Sequence, residues 1–299
     1  MDSSSRFGAL SAALAFLLWG FAPLYWKCVD HVAPLELLAH RIVWALPLLA
    51  LYVRARGNWP ALGEAWRHKR TRRLLVVSTF IIGCNWFLFV WAILTDRVLE
   101  TSLGYFINPL VSVFLGYLFL KERLSVRQRW AVGLAATGVI VLAVAGGAVP
   151  FLALALALTF AIYGLLRKKM RCEASVALTI EVALMGPVAT LFLVANAGGE
   201  FATSEFPMPL WIACAGPVTA LPLLLFGFGA RRIRLATLGF LQYLAPTGHF
   251  LLAVLVFAEP FTRVHMATFG LIWLAVGLFA FDAWRAVRRE GSFPLGSPL

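Results

Sequence analysis

Charged residues are scarce in this sequence. Asp, Glu, Lys and Arg make up 13% of its 299 residues, whereas a soluble domain usually carries about 25%. Hydrophobic residues make up 61%, and no stretch is long and polar enough to form a sizeable domain outside a membrane. This composition excludes an ordinary soluble globular protein and indicates a protein embedded in a lipid bilayer.

The usual signatures of metal sites and of membrane-embedded enzymes are also missing. The sequence contains no HExxH motif and no pair of aspartates within an apolar segment, which argues against an intramembrane enzyme. Four cysteines are scattered without a C-x-x-C pair or a histidine at metal-ligand spacing: Cys28, Cys84, Cys172 and Cys214. We therefore expect no metal, no cofactor and no catalytic residues.

Apolar segments are abundant instead, each long enough to cross a hydrocarbon core of about 30 Å. Ten of them lie at residues 7–26, 34–53, 74–94, 101–120, 128–147, 150–166, 175–197, 208–229, 236–258 and 264–284. The first lacks a convincing small-residue cleavage site and leads straight into another span, so we interpret it as an uncleaved helix. The sequence predicts an all-α integral membrane protein with ten transmembrane helices.

Basic residues are distributed unevenly between the connections. The formal net charge of +12 would suggest nucleic-acid binding in a soluble chain. Nearly all of the 26 Lys and Arg residues, however, fall on one side of the predicted membrane, including those of a basic linker at 54–73, while Lys27, Arg97 and Arg263 fall on the other. By the positive-inside rule both termini are cytoplasmic, and the charge reports orientation rather than nucleic-acid binding.

Two stretches in different halves of the chain are similar to each other. SLGYFINPLVSVFLGYLFLKERLS (102–125) matches TLGFLQYLAPTGHFLLAVLVFAEPFT (237–262), with two extra residues in the second. Pro109 and Pro246 each precede a glutamate by thirteen residues. Weak internal symmetry of this kind is typical of transporters.

The second predicted spans of the two halves also pair, RIVWALP (41–47) with EVALMGP (181–187). The repeat unit therefore contains five spans, and because five is odd the two copies enter the membrane from opposite faces. We predict two inverted five-helix repeats, 1–148 and 149–287, around a central cavity, followed by a flexible cytoplasmic tail at 288–299.

Polar residues and prolines interrupt the fourth and ninth predicted spans at equivalent places. In the fourth, Tyr105 and Asn108 fall on one helical face, and Pro109 removes a backbone donor and is expected to break the helix. The freed backbone groups need a partner in the protein or in a wet cavity, so this stripe is either a kink satisfied by a neighbouring helix or the lining of a transport cavity. The ninth span repeats the pattern with Gln242, Tyr243 and Pro246.

Further candidates for a substrate site lie on other spans. Amide groups can donate to and accept from amino or carboxyl groups, and aromatic faces can hold apolar side chains or cations. For each aromatic residue taken singly, ordinary packing is the alternative, and Trp26, Trp211 and Trp284 are typical of an interfacial belt. The candidates are Trp19, Asn85, Trp86 and Tyr163.

Ionisable residues inside spans are costly and therefore also candidates. Arg41 and Glu181 occupy matching repeat positions, each roughly 10 Å deep at 1.5 Å per residue. Arg41 has a structural role, at the outer interface or in a packing network, or it attracts a substrate carboxylate. Glu181 either forms a structural pair or accepts a proton. His40 and His249 titrate near neutrality in principle, although a lone histidine is more often a satisfied hydrogen-bonding residue.

Five strings carry a resemblance to a known family: LWGFAPLYWK (18–27), HRIVWALP (40–47), NWFLFVWA (85–92), LETSLGYFINPLVSVFLGYLFLKERLS (99–125) and TLGFLQYLAPT (237–247). On these residues the chain resembles the drug/metabolite transporter superfamily, in particular its EamA-type ten-helix members of the RarD and YddG branch. The resemblance implies a bacterial inner-membrane protein that exports amino acids and related metabolites. The matching positions are Trp19, Arg41, Asn85, Tyr105, Asn108, Gln242 and Pro246.

The sequence thus favours a transporter that exports small metabolites, above all neutral or aromatic amino acids, by alternating access. Efflux of chloramphenicol-like drugs is the alternative, and a channel or an intramembrane enzyme belongs to a different class. The amides of Asn85, Asn108 and Gln242 are expected to hold polar substrate groups beside an aromatic wall of Trp19, Tyr105 and Tyr163. The expected partners are the substrate and the lipid bilayer, and the chain is expected to be a monomer or a homodimer.

Overall fold

The computed structural model describes residues 3–121, 124–145, 147–197, 199–230, 232–233, 237–238 and 241–290. Within these residues every regular element is helical. Glu122 of the predicted repeat and residues 291–299 of the predicted tail lie outside them. The first residues of that tail, 288–290, continue the last helix, and the flexible tail stays a prediction.

The helices follow the predicted spans along the chain. They are α1 (Ser3–Cys28), α2 (Pro34–Ala55), α3 (Trp59–Arg67), α4 (Lys69–Leu94), α5 (Val98–Leu120), α6 (Val126–Ala145), α7 (Phe151–Lys169), α8 (Ala174–Ala195), α9 (Glu200–Thr203), α10 (Met208–Ala213), α11 (Ala215–Ala230), α12 (Leu244–Leu251) and α13 (Arg263–Glu290), and a π-helical turn, Leu252–Val256, continues α12. Among the described residues, nine segments are long and apolar enough to cross a membrane, with α10 and α11 forming one of them together. The ninth predicted span, 236–258, corresponds to the shorter apolar segment Leu244–Val256. The all-α, multi-pass fold is confirmed.

The basic linker at 54–73 contains more structure than the sequence predicted. It includes α3, and α4 already begins at Lys69. The helix α3 forms because its apolar residues share one face, on which Ala65 is buried and Leu62 packs against the cluster that contains Leu75. The linker is therefore partly a short helix that lies against the start of α4.

The two prolines singled out by the repeat lie at different places in their helices. The helix α5 runs through Pro109 without interruption, so the predicted break there is wrong. A proline removes one backbone hydrogen bond and crowds one carbonyl, and the bonds of the neighbouring turns hold the helix together. Pro246 lies in the first turn of α12, where its missing N–H would have no helical partner in any case. A gating role for either proline stays a prediction.

The most extensive helix contacts join the first five spans to the last five. They include α6 with α13, α5 with α7, α1 with α11, α2 with α8, and α4 with α7. In the repeat, α1 corresponds to α7, α4 to α11 and α5 to α12. The contact of α5 with α7 therefore predicts one of α1 with α12, and the contact of α1 with α11 predicts one of α4 with α7. Both predicted contacts are observed. This pairing is what two inverted five-helix repeats require, whereas the boundary near residue 148 stays a prediction.

Contacts between connections assign them to opposite ends of the bundle. At the end that the charge pattern predicts to be extracellular, called the outer end, the Tyr25 hydroxyl donates to the Trp211 carbonyl at 2.7 Å. Nearby, the Glu36 carboxylate accepts a hydrogen bond of 3.0 Å from the Phe201 N–H. These bonds tie the outer ends of α1 and α2 to the segment between α8 and α11.

The opposite end, at which α1 begins and α13 ends, is called the inner end. There the Asn58 amide donates to the Glu173 carboxylate at 2.7 Å. The Ser125 hydroxyl donates to Asp282 at 2.7 Å. Each of these bonds connects a segment of the first repeat to one of the second, so both ends of the bundle are held by contacts between the repeats.

Glu259 closes the start of α5 at the outer end. Its carboxylate accepts hydrogen bonds from the N–H groups of Val98 at 2.6 Å and Leu99 at 2.8 Å. A helix leaves its first N–H groups without helical partners, and an acidic group there also complements the helix dipole. Burial raises the pKa of the Glu259 carboxyl, and the two N–H donors oppose that shift. The connection before α13 is thereby fixed to the first repeat.

Glu259→Ala is expected to lower the free energy of unfolding by about 2 kcal/mol, because two buried N–H groups lose their acceptor. Thermal unfolding of the purified variant in detergent, compared with that of the wild-type protein, measures the loss. Glu259→Gln keeps one acceptor oxygen and should lose less. Equal stability of Glu259→Ala and wild-type protein would show that the bonds to α5 contribute nothing.

Several helix pairs approach so closely that only glycine fits between them. A Cβ added to Gly216 would lie 2.7 Å from the backbone nitrogen of Ala45, and one added to Gly248 would lie 2.8 Å from the Cα of Gly20. Small residues commonly mediate close packing of transmembrane helices. By contrast, nothing lies within 4 Å of a Cβ added to Gly227, which is on the same helix as Gly216.

Candidate functional site

A row of aromatic rings crosses the middle of the bundle. The rings of Tyr105 and Phe89 have centroids 5.9 Å apart, and His249 lies 5.5 Å from Phe89 and 5.7 Å from Tyr105. Phe160 continues the row at 6.1 Å from Tyr105, and Tyr163 lies a further 6.1 Å away. We call these five residues the aromatic row. It connects α4, α5, α7 and α12, and therefore both repeats.

The amides of Asn85 and Asn108 lie next to this row and bind α7. Asn85 Nδ2 donates to the Thr159 hydroxyl at 2.8 Å and to the Leu156 carbonyl at 3.2 Å. Asn108 Nδ2 donates to the Ala157 carbonyl at 3.0 Å. The structure thus brings the two predicted amides together on one helix, and these bonds use only the NH₂ group of each side chain.

Trp19, Gln242 and Tyr243 are not part of the aromatic row. Trp19 belongs to a separate cluster, with its ring 5.5 Å from Phe16 and 5.8 Å from Phe226. Tyr243 stacks on Phe106 with a centroid distance of 6.3 Å, and Gln242 is half-buried in the turn before α12. A substrate role for these three residues stays a prediction.

Both predicted histidines make structural contacts. His249 is 2% exposed, and its Nε2 donates to the Trp19 carbonyl at 3.0 Å, which links α12 to α1. The Trp44 indole N–H donates to His40 Nδ1 at 3.1 Å, and the His40 ring lies 4.5 Å from that of Phe201. These contacts give each histidine a hydrogen-bonding role.

Glu181 is fully buried and has three partners. The Ser78 hydroxyl donates to Oε1 at 2.6 Å, and the Tyr163 hydroxyl donates to Oε2 at 3.0 Å. Arg167 Nη1 lies 3.7 Å from Oε1. The glutamate therefore joins α4, α7 and α8 as a structural pair, and its proposed role as a proton acceptor stays a prediction.

Arg41 is buried between tryptophans rather than extended to the membrane surface. Arg41 is 8% exposed. The guanidinium carbon lies 4.3 Å from the centroid of Trp86 and 5.6 Å from that of Trp26. Trp26 is 1% exposed, so its assignment to an interfacial belt is wrong. The predicted reach of Arg41 to the outer interface is also wrong, whereas its roles in a packing network and towards a substrate carboxylate stay predictions.

The tryptophans towards the outer end are more deeply buried than three candidate side chains at mid-depth. Towards the outer end, Trp26 and Trp86 are buried at 1% and 6% exposure. At mid-depth, Tyr105, Asn108 and Tyr163 are all partly exposed.

Three contributors to the site were missed by sequence reasoning. Ser78 lies seven residues before Asn85, so both fall on one face of α4 and this spacing was a usable signal. Arg167 was assigned to a loop, but α7 extends to Lys169. Phe89 carried no signal, because a phenylalanine in an apolar span is indistinguishable from core.

Comparisons with known proteins agree with this architecture. The model of the EamA-like transporter family matches residues 6–144. The chain is 43% identical over 288 residues to a protein of Vibrio cholerae named uncharacterized transporter, with 95% of each chain covered. It is 41% identical to protein RarD of Escherichia coli K12, with 97% of this chain and 99% of that one covered.

Two further matches are more distant. The chain is 31% identical to a Pseudomonas aeruginosa protein named chloramphenicol-sensitive protein RarD, with 95% of this chain and 96% of that one covered. A solved crystal structure superposes with a TM-score of 0.62 at 21% identity, over 93% of this chain and 97% of its own. That likeness shows a shared fold.

Proposed function

The chain belongs to the EamA-like transporter family and is therefore a multi-pass membrane transporter, and we propose that it exports small metabolites from the cytoplasm by alternating access. Neutral and aromatic amino acids are the proposed substrates. The bacterial inner membrane, with both termini in the cytoplasm, is the proposed location.

The aromatic row is the observation that supports this proposal most directly. Tyr105, Phe160 and Tyr163 place rings at intervals of about 6 Å across the interior, and none of the three is fully buried. Aromatic faces bind apolar and aromatic side chains, while amides bind polar groups of either kind. Asn108 lies one turn from Tyr105, so a molecule with one polar and one apolar end meets both chemistries there.

Export rather than uptake is the proposed direction, with the substrate entering from the inner end. The positive-inside rule predicts that this end is cytoplasmic, and a transporter open to the cytoplasm loads its substrate there. Exchange of the two inverted repeats between equivalent conformations would then open the interior to the outer side. Release on that side completes one export step.

Efflux of chloramphenicol-like drugs is the second candidate. The name of the relative from Pseudomonas aeruginosa refers to chloramphenicol sensitivity, and a neutral nitroaromatic amide could use the same rings and amides. This candidate predicts transport of an uncharged compound.

Transport by purified protein in liposomes distinguishes the two candidates. A panel of labelled neutral and aromatic amino acids is compared with chloramphenicol, at equal and at unequal pH across the membrane. Saturable, protein-dependent flux of amino acids supports the proposal, and its response to the pH difference reports proton coupling. Flux of chloramphenicol alone contradicts the amino-acid proposal.

Asn108→Ala and Gln242→Ala are each expected to lower amino-acid flux by about tenfold, the effect of losing one hydrogen bond of about 1.4 kcal/mol. Initial rates in liposomes measure this effect, and the yield of folded protein in membranes should stay at the wild-type level. Thr137→Ala, on an exposed residue of α6 whose hydroxyl donates to the Gly133 carbonyl of its own helix, is the control and should transport normally. Normal flux in both amide variants would contradict the assignment.

A further inference from the structure

We propose that Arg41 binds the carboxylate of the transported substrate. This inference rests on the proposed function and narrows it, because it requires that the substrate carries a free carboxylate. It also distinguishes amino acids, which carry a carboxylate, from uncharged drugs that would bind in the same interior.

Two of the three guanidinium nitrogens of Arg41 have no hydrogen-bond partner among the described residues. Its Nε and Nη1 atoms are buried and unbonded, and among the described residues no carboxylate lies within ion-pair distance of it. The nearest acidic residue on its own helix, Glu36, accepts the backbone N–H of Phe201 instead. A buried charge without a counter-ion is costly in a membrane protein and is a functional candidate by default.

Tryptophan rings hold the cation in place without satisfying its donors. Trp86 and Trp26 attract it through cation–π interactions at 4.3 and 5.6 Å, and such contacts use the charge but not the N–H groups. Those planar N–H donors match a carboxylate in a bidentate geometry that a lysine cannot reproduce. The surroundings therefore fix the guanidinium for an acceptor that the protein does not provide.

The repeat supplies an internal comparison. Glu181 occupies the position in the second repeat that Arg41 occupies in the first, and it is paired with Ser78, Tyr163 and Arg167. A charge kept only for packing would be expected to have protein partners, as Glu181 has. Arg41 Nε and Nη1 have no hydrogen-bond partner among the described residues, although both residues are buried.

The location suits a carboxylate subsite at the outer border of the aromatic row. Trp86 follows Asn85 directly on α4, and Phe89 of the same helix lies in the row. A substrate whose carboxylate meets Arg41 would extend its side chain inwards along Tyr105 and Phe160.

Comparing an amino acid with its amide in liposomes tests the subsite. L-Phenylalanine and L-phenylalaninamide differ in the carboxylate alone, and the acid-to-amide ratio of initial rates is the readout. Wild-type protein should prefer the acid by about tenfold or more, which is what one hydrogen-bonded charge pair contributes. Arg41→Gln should reduce phenylalanine flux by at least about tenfold and leave amide flux unchanged.

Two further variants keep the test decisive. Arg41→Lys retains the charge without the bidentate geometry, so it should fold and show an intermediate ratio. Arg97→Gln is the matched control, because Arg97 also lies beside a tryptophan, at 5.3 Å from Trp91, but is paired with Glu100. It should keep the wild-type ratio.

The possible failures are distinguishable. Equal loss of acid and amide flux in Arg41→Gln would show a structural role and overturn the subsite, as would an unchanged ratio in folded Arg41→Gln or Arg41→Lys. In either case saturable phenylalanine flux by the wild-type protein would leave the transporter proposal intact. Wild-type protein that moves chloramphenicol but neither phenylalanine nor its amide would contradict both proposals.

Discussion

Gly216→Ala is expected to destabilise the protein by about 3 kcal/mol, at the upper end of the usual cost of overpacking. The added Cβ would collide with the backbone of Trp44 and would lie 2.7 Å from the nitrogen of Ala45. Backbone atoms cannot rotate out of the way, so α2 and α11 would have to separate. Loss of their close contact would also weaken the packing of α2 against its other neighbours.

Gly227→Ala is the matched control for this prediction. Gly227 lies on the same helix, and an added Cβ there meets nothing within 4 Å. Alanine favours a helix over glycine by about 1 kcal/mol, so this variant should be as stable as wild-type protein or slightly more stable. Thermal unfolding of both variants in the same detergent measures the difference. Equal behaviour of the two variants would show that α2 and α11 do not pack as closely as described.

Glu181→Ala is expected to cost about 3–5 kcal/mol, the usual penalty for removing one partner of a buried ion pair. The hydroxyl groups of Ser78 and Tyr163 would lose their acceptor, and Arg167 would keep a charge in the bundle without a counter-ion. Three helices would therefore be affected at once. The midpoint of thermal unfolding and the yield of detergent-soluble protein measure the effect.

Glu181→Gln separates the charge from the hydrogen bonds. Glutamine keeps an acceptor oxygen for one hydroxyl group but no longer compensates Arg167, so an intermediate loss is expected. A double-mutant cycle with Arg167→Gln isolates the ion pair. If Glu181→Ala unfolded at the wild-type midpoint, the network would have no structural role.

Length and hydropathy predict much of this fold because they are local properties. Each of the ten apolar segments can be recognised from its own residues, since the bilayer sets the same length for all of them. The repeat adds which helices are equivalent, and equivalence restricts which pairs can pack. The short helix α3 was missed because its apolar face is only a few residues long, and the break at Pro109 was wrong because one missing hydrogen bond is too weak to end a packed helix.

The site is less predictable because its geometry depends on partners far apart in the sequence. Asn108 was recognisable as a polar residue in a span, but its bond to the Ala157 carbonyl involves a backbone group, which no side-chain pattern reveals. Glu181 and Arg167 lie within one helical hairpin, yet the pairing required α7 to extend beyond its apolar segment. For Arg41 the sequence left open a structural role, at the outer interface or in a packing network, and a role in binding a substrate carboxylate. Only the positions of Trp26 and Trp86 exclude contact with the outer interface.

The packing between repeats has a consequence for biosynthesis. Helices α1, α2, α4, α5 and α6 find their most extensive contacts with helices that are synthesised later. A ribosome that has completed the first repeat has therefore inserted five helices that largely lack their partners. The polar groups of these helices, Arg41 and Asn108 among them, remain without their final surroundings, in the membrane or beside the insertion machinery, until the second repeat is inserted. The two halves are thus expected to fold as one unit after translation of the second, even though the sequence repeats.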